Sequence, residues 1–178
     1  MTGLIRILEN SVIDQIAAGE VVDRPAHMIK ELCENSLDAG ATELVIDFQK
    51  GGRHVLIRDN GRGISPEDLP LTVARHATSK IKNADDLWEI SSYGFRGEAL
   101  ASIGAVSCLQ ITSRTVDQAL GSQLICRFGE LGQVTQVGAE VGTVVQVSDL
   151  FENVPARLKF LKTDAGESSA IKTQLKAL

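Results

Sequence analysis

The chain has 178 residues, 43% apolar and 23% charged, enough for one compact domain with its own core. A net charge of −5 gives no global electrostatic footprint for DNA, and 4% aromatics argues against a stacking platform for single strands. Cys33, Cys108 and Cys126 are scattered, which argues against a disulfide framework or a zinc site and fits a reducing cytoplasm. No apolar run approaches the roughly 20 residues of a membrane span. Arg6, Glu9 and Asp14 make the N-terminus unlike a signal peptide.

Residues 1–22 read as an N-terminal arm with a short helix near residues 13–18. Asp23 suits an N-cap and Pro25 the first turn of a helix that runs to about Asp38, with Gly40 as its left-handed stop. Residues 44–49 and 54–59 are predicted strands joined by Lys50-Gly51-Gly52, a hairpin. Ser65 with Asp68 resembles a helix start before residues 66–75. Residues 77–95 lack periodicity and read as a long loop. A short helix is expected over 96–103, then strands near 106–113, 121–128, 132–137 and 142–149, and helices near 155–161 and 166–178. The absence of strict βα alternation predicts an α+β fold. It is a two-layer α/β sandwich with a mixed, mostly antiparallel sheet and helices on one face. Ile171, Leu175 and Leu178 keep helical spacing to the last residue with no stop signal. That suggests a chain continuing beyond residue 178, although a natural helical end gives the same pattern.

Four short segments carry the chemistry. On a wheel of residues 24–39, Ile29, Leu32, Cys33, Ser36 and Leu37 fall on one side and Glu31, Asn35 and Asp38 on the other. Glu31 and Asn35 are four residues apart, about 6 Å along one helix face, so a carboxylate and a neutral carboxamide point the same way. A base for water and an uncharged ligand for a hard cation have those properties; a solvated polar face has the same pattern. Asp59 alternates with Val55 and Ile57, so it shares the apolar strand face and needs donors, such as the exocyclic amine of a purine. Gly61 and Gly63 allow close backbone approach, although an ordinary Asp-Asn-Gly turn reads alike. Gly94-Phe95-Arg96-Gly97-Glu98-Ala99-Leu100 places glycines before a helix start, where free N–H groups attract phosphate, or where a hinge would sit. Thr143 puts a hydroxyl at the edge of the face shared by Val145 and Val147, placed to bond a base directly or through water, although viewed alone it reads as an ordinary satisfied strand threonine.

In this order the segments resemble the ATP-binding fold shared by DNA gyrase B subunits, heat-shock chaperone ATPases, sensor histidine kinases and MutL proteins. Residues 15–22, 34–41, 75–81 (Arg-His-Ala-Thr-Ser-Lys-Ile), 94–100 and 150–157 (Leu-Phe-Glu-Asn-Val-Pro-Ala-Arg) resemble the MutL mismatch-repair family in particular. The resemblance covers essentially the whole chain. It implies that residues 1–178 are an ATP-binding domain, with residues 77–100 as lid and phosphate segment and a following domain lying outside the chain. It implies Glu31 as the general base and Asn35 as the Mg²⁺ ligand. Asp59 would recognise adenine with Thr143 helping through water, and Gly61 and Gly63 would line the nucleotide. Thr78, Ser79 and Lys80 would meet it from the lid, with Gly94, Phe95, Arg96, Gly97, Glu98, Ala99 and Leu100 around the phosphates. ATP and Mg²⁺ are the implied cofactors.

The implied function is ATP hydrolysis that drives lid closure and N-terminal dimerisation of a DNA mismatch repair protein. Its implied partners are DNA, a mismatch-recognition protein and a downstream nuclease or helicase. The implied location is the cytoplasm, with no membrane. An ATP-sensing module with negligible turnover is the alternative reading. A kinase passing phosphate to histidine would not need Glu31 as a water base. Arg157, Lys159 and Lys162 form either a DNA-facing patch or a solvated helix face.

Overall fold

Alternating apolar and polar residues in Leu44–Gln49 (β1) and His54–Asp59 (β2) form an antiparallel hairpin, with Leu44 opposite Asp59 and Gln49 opposite His54. The protein is described by a computed structural model covering residues 9–74, 77 and 98–178. Five strands follow: Cys108–Arg114 (β3), Gly121–Arg127 (β4), Glu130–Leu131 (β5), Thr135–Val137 (β6) and Gly142–Ser148 (β7). They complete a seven-stranded sheet in the order β1-β2-β7-β3-β4-β5, with β5 and β6 pairing at opposite ends of β4. Every strand pairing among the described residues is antiparallel.

Among the described residues the α-helices are Asn10–Val21 (α1), Pro25–Asp38 (α2), Ala99–Ala105 (α3), Pro155–Phe160 (α4) and Asp164–Leu175 (α5). One face of the sheet is covered: α2 packs on β2, α3 on β3 and β4, α1 on α3, and α5 on α2 and the β1–β2 turn. Register aligns the buried face in rows across the central strands. Val55, Val147, Leu109 and Cys126 form one row, and Ile57, Val145, Ile111 and Leu124 the next. Met28, Ile29, Leu32 and Cys33 of α2 and Ile103 of α3 close over them. Each such side chain withdrawn from water contributes roughly 1.5–3 kcal/mol, so these two rows hold the helices to the sheet. On the opposite face Arg58 and Gln146 are exposed. Among the described residues no helix is long and apolar enough to cross a membrane.

Three local expectations shift. Arg24, not Asp23, is the N-cap residue of α2, with Pro25 in its first turn; Asp23 pairs with His27 instead. The helix expected over 66–75 is only a 3₁₀ turn, Leu69–Val73. Ser65 does accept from the Asp68 N–H at 3.1 Å, but Pro70 has no N–H for the Pro66 carbonyl, so an α-helix cannot propagate there. The strand expected over 132–137 is confined to β6, Thr135–Val137, and a two-residue strand not expected from sequence, β5, precedes it, because the turn at Phe128-Gly129 (φ 48° and 89°) sends the chain straight back along β4.

Candidate functional site

The third row across the sheet is polar: Asp59, Thr143, Ser113 and Ser122, all on the buried face. Strand alternation carries Asp59 to the core side, where it is 7% exposed. Its Oδ1 accepts the Gly61 N–H at 2.9 Å and the Thr143 N–H at 3.2 Å, and its Oδ2 accepts the Ser36 hydroxyl at 2.8 Å. The protein therefore supplies three donors to a buried carboxylate, which has about four acceptor sites when ionised. Counting the described residues alone, one acceptor position, on Oδ2, is left for an incoming N–H.

The Ser36 bond ties this row to α2. The Arg62 N–H donates to the Ala39 carbonyl at 3.1 Å, so the loop after β2 is docked on the end of that helix. A Cβ on Gly61 would lie 3.0 Å from Ala39 Cβ and 3.1 Å from Asp59 Oδ1. Gly63 (φ +75°) would place a Cβ 2.1 Å from the Arg114 carbonyl oxygen. Gly142 (φ +121°) would place one 2.1 Å from the Asp59 carbonyl oxygen. Gly61 and Gly63, read from sequence as room for a ligand, thus also have packing reasons within the protein.

Along α2, Glu31, Asn35 and Asp38 are half-buried, while Leu32, Cys33 and Ser36 are buried. Leu37, grouped with the core side by the wheel, is 37% exposed. It lies on the last turn, where the helix meets the polar 59–62 loop instead of the apolar rows. Glu34 is buried beside Lys30 one turn earlier, a pairing the i,i+4 spacing signals. Burial, then the neighbouring Glu34, pushes the Cys33 thiol up to about 11, so it is an inert packing group.

Glu98 is the N-cap residue of α3, and its carbonyl accepts the Ser102 N–H at 2.8 Å. Ala99 opens the helix, and Leu100 packs against the core. Thr78, Ser79, Lys80, Gly94, Phe95, Arg96 and Gly97 lie outside the described residues.

Arg157 is not a surface cation. It donates to the Val22 carbonyl at 3.3 Å, sits 5.8 Å over the Phe151 ring, and fills the place a side chain on Gly19 would take. It braces α4 against the end of α1, leaving Lys159 and Lys162 as the exposed cations of that stretch.

A cavity of about 750 Å³ opens on the other face of the sheet, lined by Val45, Arg58, Thr112, Gln123 and Val144 and reaching Asp59 and Thr143 at its end. Neither Glu31 nor Asn35 lines it. The buried polar row and α2 therefore define the candidate site, and this cavity lies behind it. Among the described residues no cluster of three or more His, Cys, Asp or Glu is suited to a metal. The Asn35 carboxamide is a hard oxygen donor and suits Mg²⁺ that takes its other ligands from phosphate and water.

Ser36 and Ser113 were not singled out from sequence. The Ser113 Oγ lies 2.9 Å from each of the Ile64 N, the Gly142 carbonyl oxygen and the Thr143 Oγ1. A lone serine on an apolar face was their only signal.

The family profile described as "Histidine kinase-, DNA gyrase B-, and HSP90-like ATPase" matches residues 24–141. The chain is 53% identical over 175 residues, 98% of its length, to the DNA mismatch repair protein MutL of Xanthomonas campestris pv. campestris (strain B100), of which it covers 28%. It is 56% identical over 165 residues, 92% of its length, to MutL of Actinobacillus succinogenes, of which it covers 26%. The chain thus spans about a quarter of the length of these curated relatives. Among solved structures it is similar to the Aquifex aeolicus MutL ATPase domain complexed with ADP. That match has a TM-score of 0.69 and 34% identity, covering 88% of this chain and 55% of that one. The N-terminal domain of a DNA repair protein matches with a TM-score of 0.75 and 30% identity, covering 92% of this chain and 47% of that one.

Proposed function

Because the chain belongs to the histidine kinase-, DNA gyrase B-, and HSP90-like ATPase family, we propose that it binds Mg·ATP against α2 and the polar end of the sheet and hydrolyses the γ-phosphate. The carrying observation is Asp59: a buried carboxylate held, among the described residues, by three donors with one acceptor position to spare. That position suits an exocyclic amine, with Thr143 beside it. The nucleotide supplies the phosphoanhydride and Mg²⁺ its charge neutralisation, so the protein's part is positioning.

Glu31, on the half-buried face of α2, orients or deprotonates the attacking water. Asn35, one turn on, holds the cation through its carboxamide oxygen. Gly61 and Gly63 keep the base-binding loop close to the end of α2. Thr78, Ser79 and Lys80 meet the nucleotide from the lid, and residues 94–100 gather the phosphates against the start of α3.

The likeness to MutL mismatch repair proteins supports a setting in DNA mismatch repair. There, ATP closes the lid (residues 77–100) and the arm (residues 1–22), and two copies associate. The whole protein then couples mismatch recognition on DNA to a downstream nuclease or helicase. Its compartment is the cytoplasm, where its three free cysteines stay reduced.

Isothermal titration of the chain with a non-hydrolysable ATP analogue and Mg²⁺ tests the reading against Asp59→Asn. The substitution preserves shape and the Oδ1 bonds. It removes a charge-assisted bond and can turn an amide N–H toward the base amine, a loss of about 10- to 100-fold in affinity. Equal affinity in the two proteins overturns Asp59 as the base-recognition group.

A further inference from the structure

The Ser113 hydroxyl is fully buried and has three polar neighbours at 2.9 Å. A serine hydroxyl has one proton to donate and two lone pairs to accept. The Ile64 N–H can only donate to it, and the Gly142 carbonyl can only accept from it. Its single proton therefore goes to Gly142, one lone pair takes Ile64, and the remaining lone pair faces Thr143 Oγ1. All three contacts are hydrogen bonds only if the Thr143 hydroxyl donates to Ser113. The opposite arrangement, with Ser113 donating to Thr143, sets two oxygens lone pair to lone pair at 2.9 Å from Ser113 to Gly142. Inside a buried row that arrangement is disfavoured, because it sets the two oxygens against each other with no proton between them.

The Thr143 proton is thus committed inward, and what Thr143 offers a ligand is lone pairs. Asp59 also offers only a lone pair. The end of the row is an acceptor–acceptor pair. The adenine amine carries two N–H donors and satisfies both. Hypoxanthine carries one donor, the ring N1–H, and one acceptor, the oxo group. Asp59 alone accepts from either base, so the discriminating element is the polarity of Thr143, acting directly or through a water whose orientation it sets.

We infer that Ser113 is a specificity-determining positioning residue: by fixing the Thr143 hydroxyl as an acceptor it makes the site take a 6-amino purine and refuse a 6-oxo purine. The inference rests on the nucleotide-binding reading of Asp59. It goes beyond that reading by assigning selectivity to a residue that does not face the base.

The test is paired titration of the 178-residue chain with Mg·ATP and Mg·ITP, whose bases differ in the 6-amine against 6-oxo group and in the proton on N1. In Ser113→Ala the Thr143 hydroxyl is free to rotate and donate to the oxo group. The ATP-to-ITP affinity ratio should then fall at least about fivefold, roughly 1 kcal/mol. General loosening of the row weakens both nucleotides alike and leaves the ratio unmoved, so an unmoved ratio overturns the inference. Thr143→Val, which removes the hydroxyl without changing shape, decides the matter if Ser113→Ala does not fold. It should lower the ratio by weakening ATP while leaving ITP nearly unchanged, and an unaltered ratio again overturns the inference. The two readings fail distinguishably. If wild type binds ATP and Asp59→Asn does not, but the ratio stays fixed in both test variants, only the role of Ser113 falls. If wild type binds neither nucleotide, the site reading falls and this inference with it.

Discussion

Removing Arg24 should unsettle the start of α2 more than its exposed position suggests. Its guanidinium donates to Glu167 Oε1 at 3.0 Å, and the Lys162 backbone N–H donates to the same oxygen at 2.8 Å. The Glu167 side chain is only 2% exposed against 37% for Arg24, and Oε2 has no hydrogen-bond partner among the described residues. Arg24→Ala therefore strands a buried carboxylate on one backbone donor. Breaking a fully buried pair costs about 3–5 kcal/mol, and water around the half-exposed arginine reduces this to about 1.5–2.5 kcal/mol. Glu167→Gln keeps the oxygen that accepts both bonds and replaces the unpartnered oxygen with an amide, so it should cost less than about 1 kcal/mol. Urea unfolding of the chain reads both. In a domain of this size the arginine variant should also melt about 3–10 °C lower. The reasoning fails if Arg24→Ala is within about 0.5 kcal/mol of wild type, or if Glu167→Gln is the more damaging change.

Glu31→Ala should keep nucleotide affinity and lower phosphate release about 10²–10⁴-fold, the usual worth of a base; release within about threefold of wild type removes Glu31 from the role. Asn35→Ala should instead lose the Mg²⁺-dependent part of the affinity, so titration with and without EDTA that gives wild-type values contradicts its place as the cation ligand. Gly63→Ala should destabilise by at least about 2 kcal/mol, since it adds a clash with the Arg114 carbonyl to left-handed strain. Gly138→Ala, with nothing within 4 Å of the new Cβ, is the matched control, and equal melting temperatures for the two would refute the packing account.

The β1–β2 hairpin could be read to the residue because alternation and glycines at the turn are local signals, and both report the same register. Asp59 was legible for the same reason. Its surroundings were not: Ser36 and Thr143 reach it across 23 and 84 residues of sequence, distances no local pattern reports. A serine on a strand looks the same in sequence whether it fills space or sets a hydrogen-bond direction, which hid Ser113. The helix expected over 66–75 failed on a local fact that was visible, the four-residue spacing of Pro66 and Pro70. Arg157 misled because a cation in a basic stretch looks solvated until the distant Gly19 leaves a space for it.

The helix α2 is held at both ends by partners from different parts of the chain. At its start, Pro25 packs where a side chain on Gly52 would intrude, next to Ile171, and Arg24 grips Glu167. At its finish, Ser36 is bonded to Asp59 and the Ala39 carbonyl to Arg62. Glu31 and Asn35 lie between these clamps on a rod about 21 Å long. A helix is stiff along its axis, so a displacement of α5 at one end should be felt in the polar row at the other. A load on α5 should thereby reach the alignment of Glu31 and Asn35, the proposed water base and cation ligand.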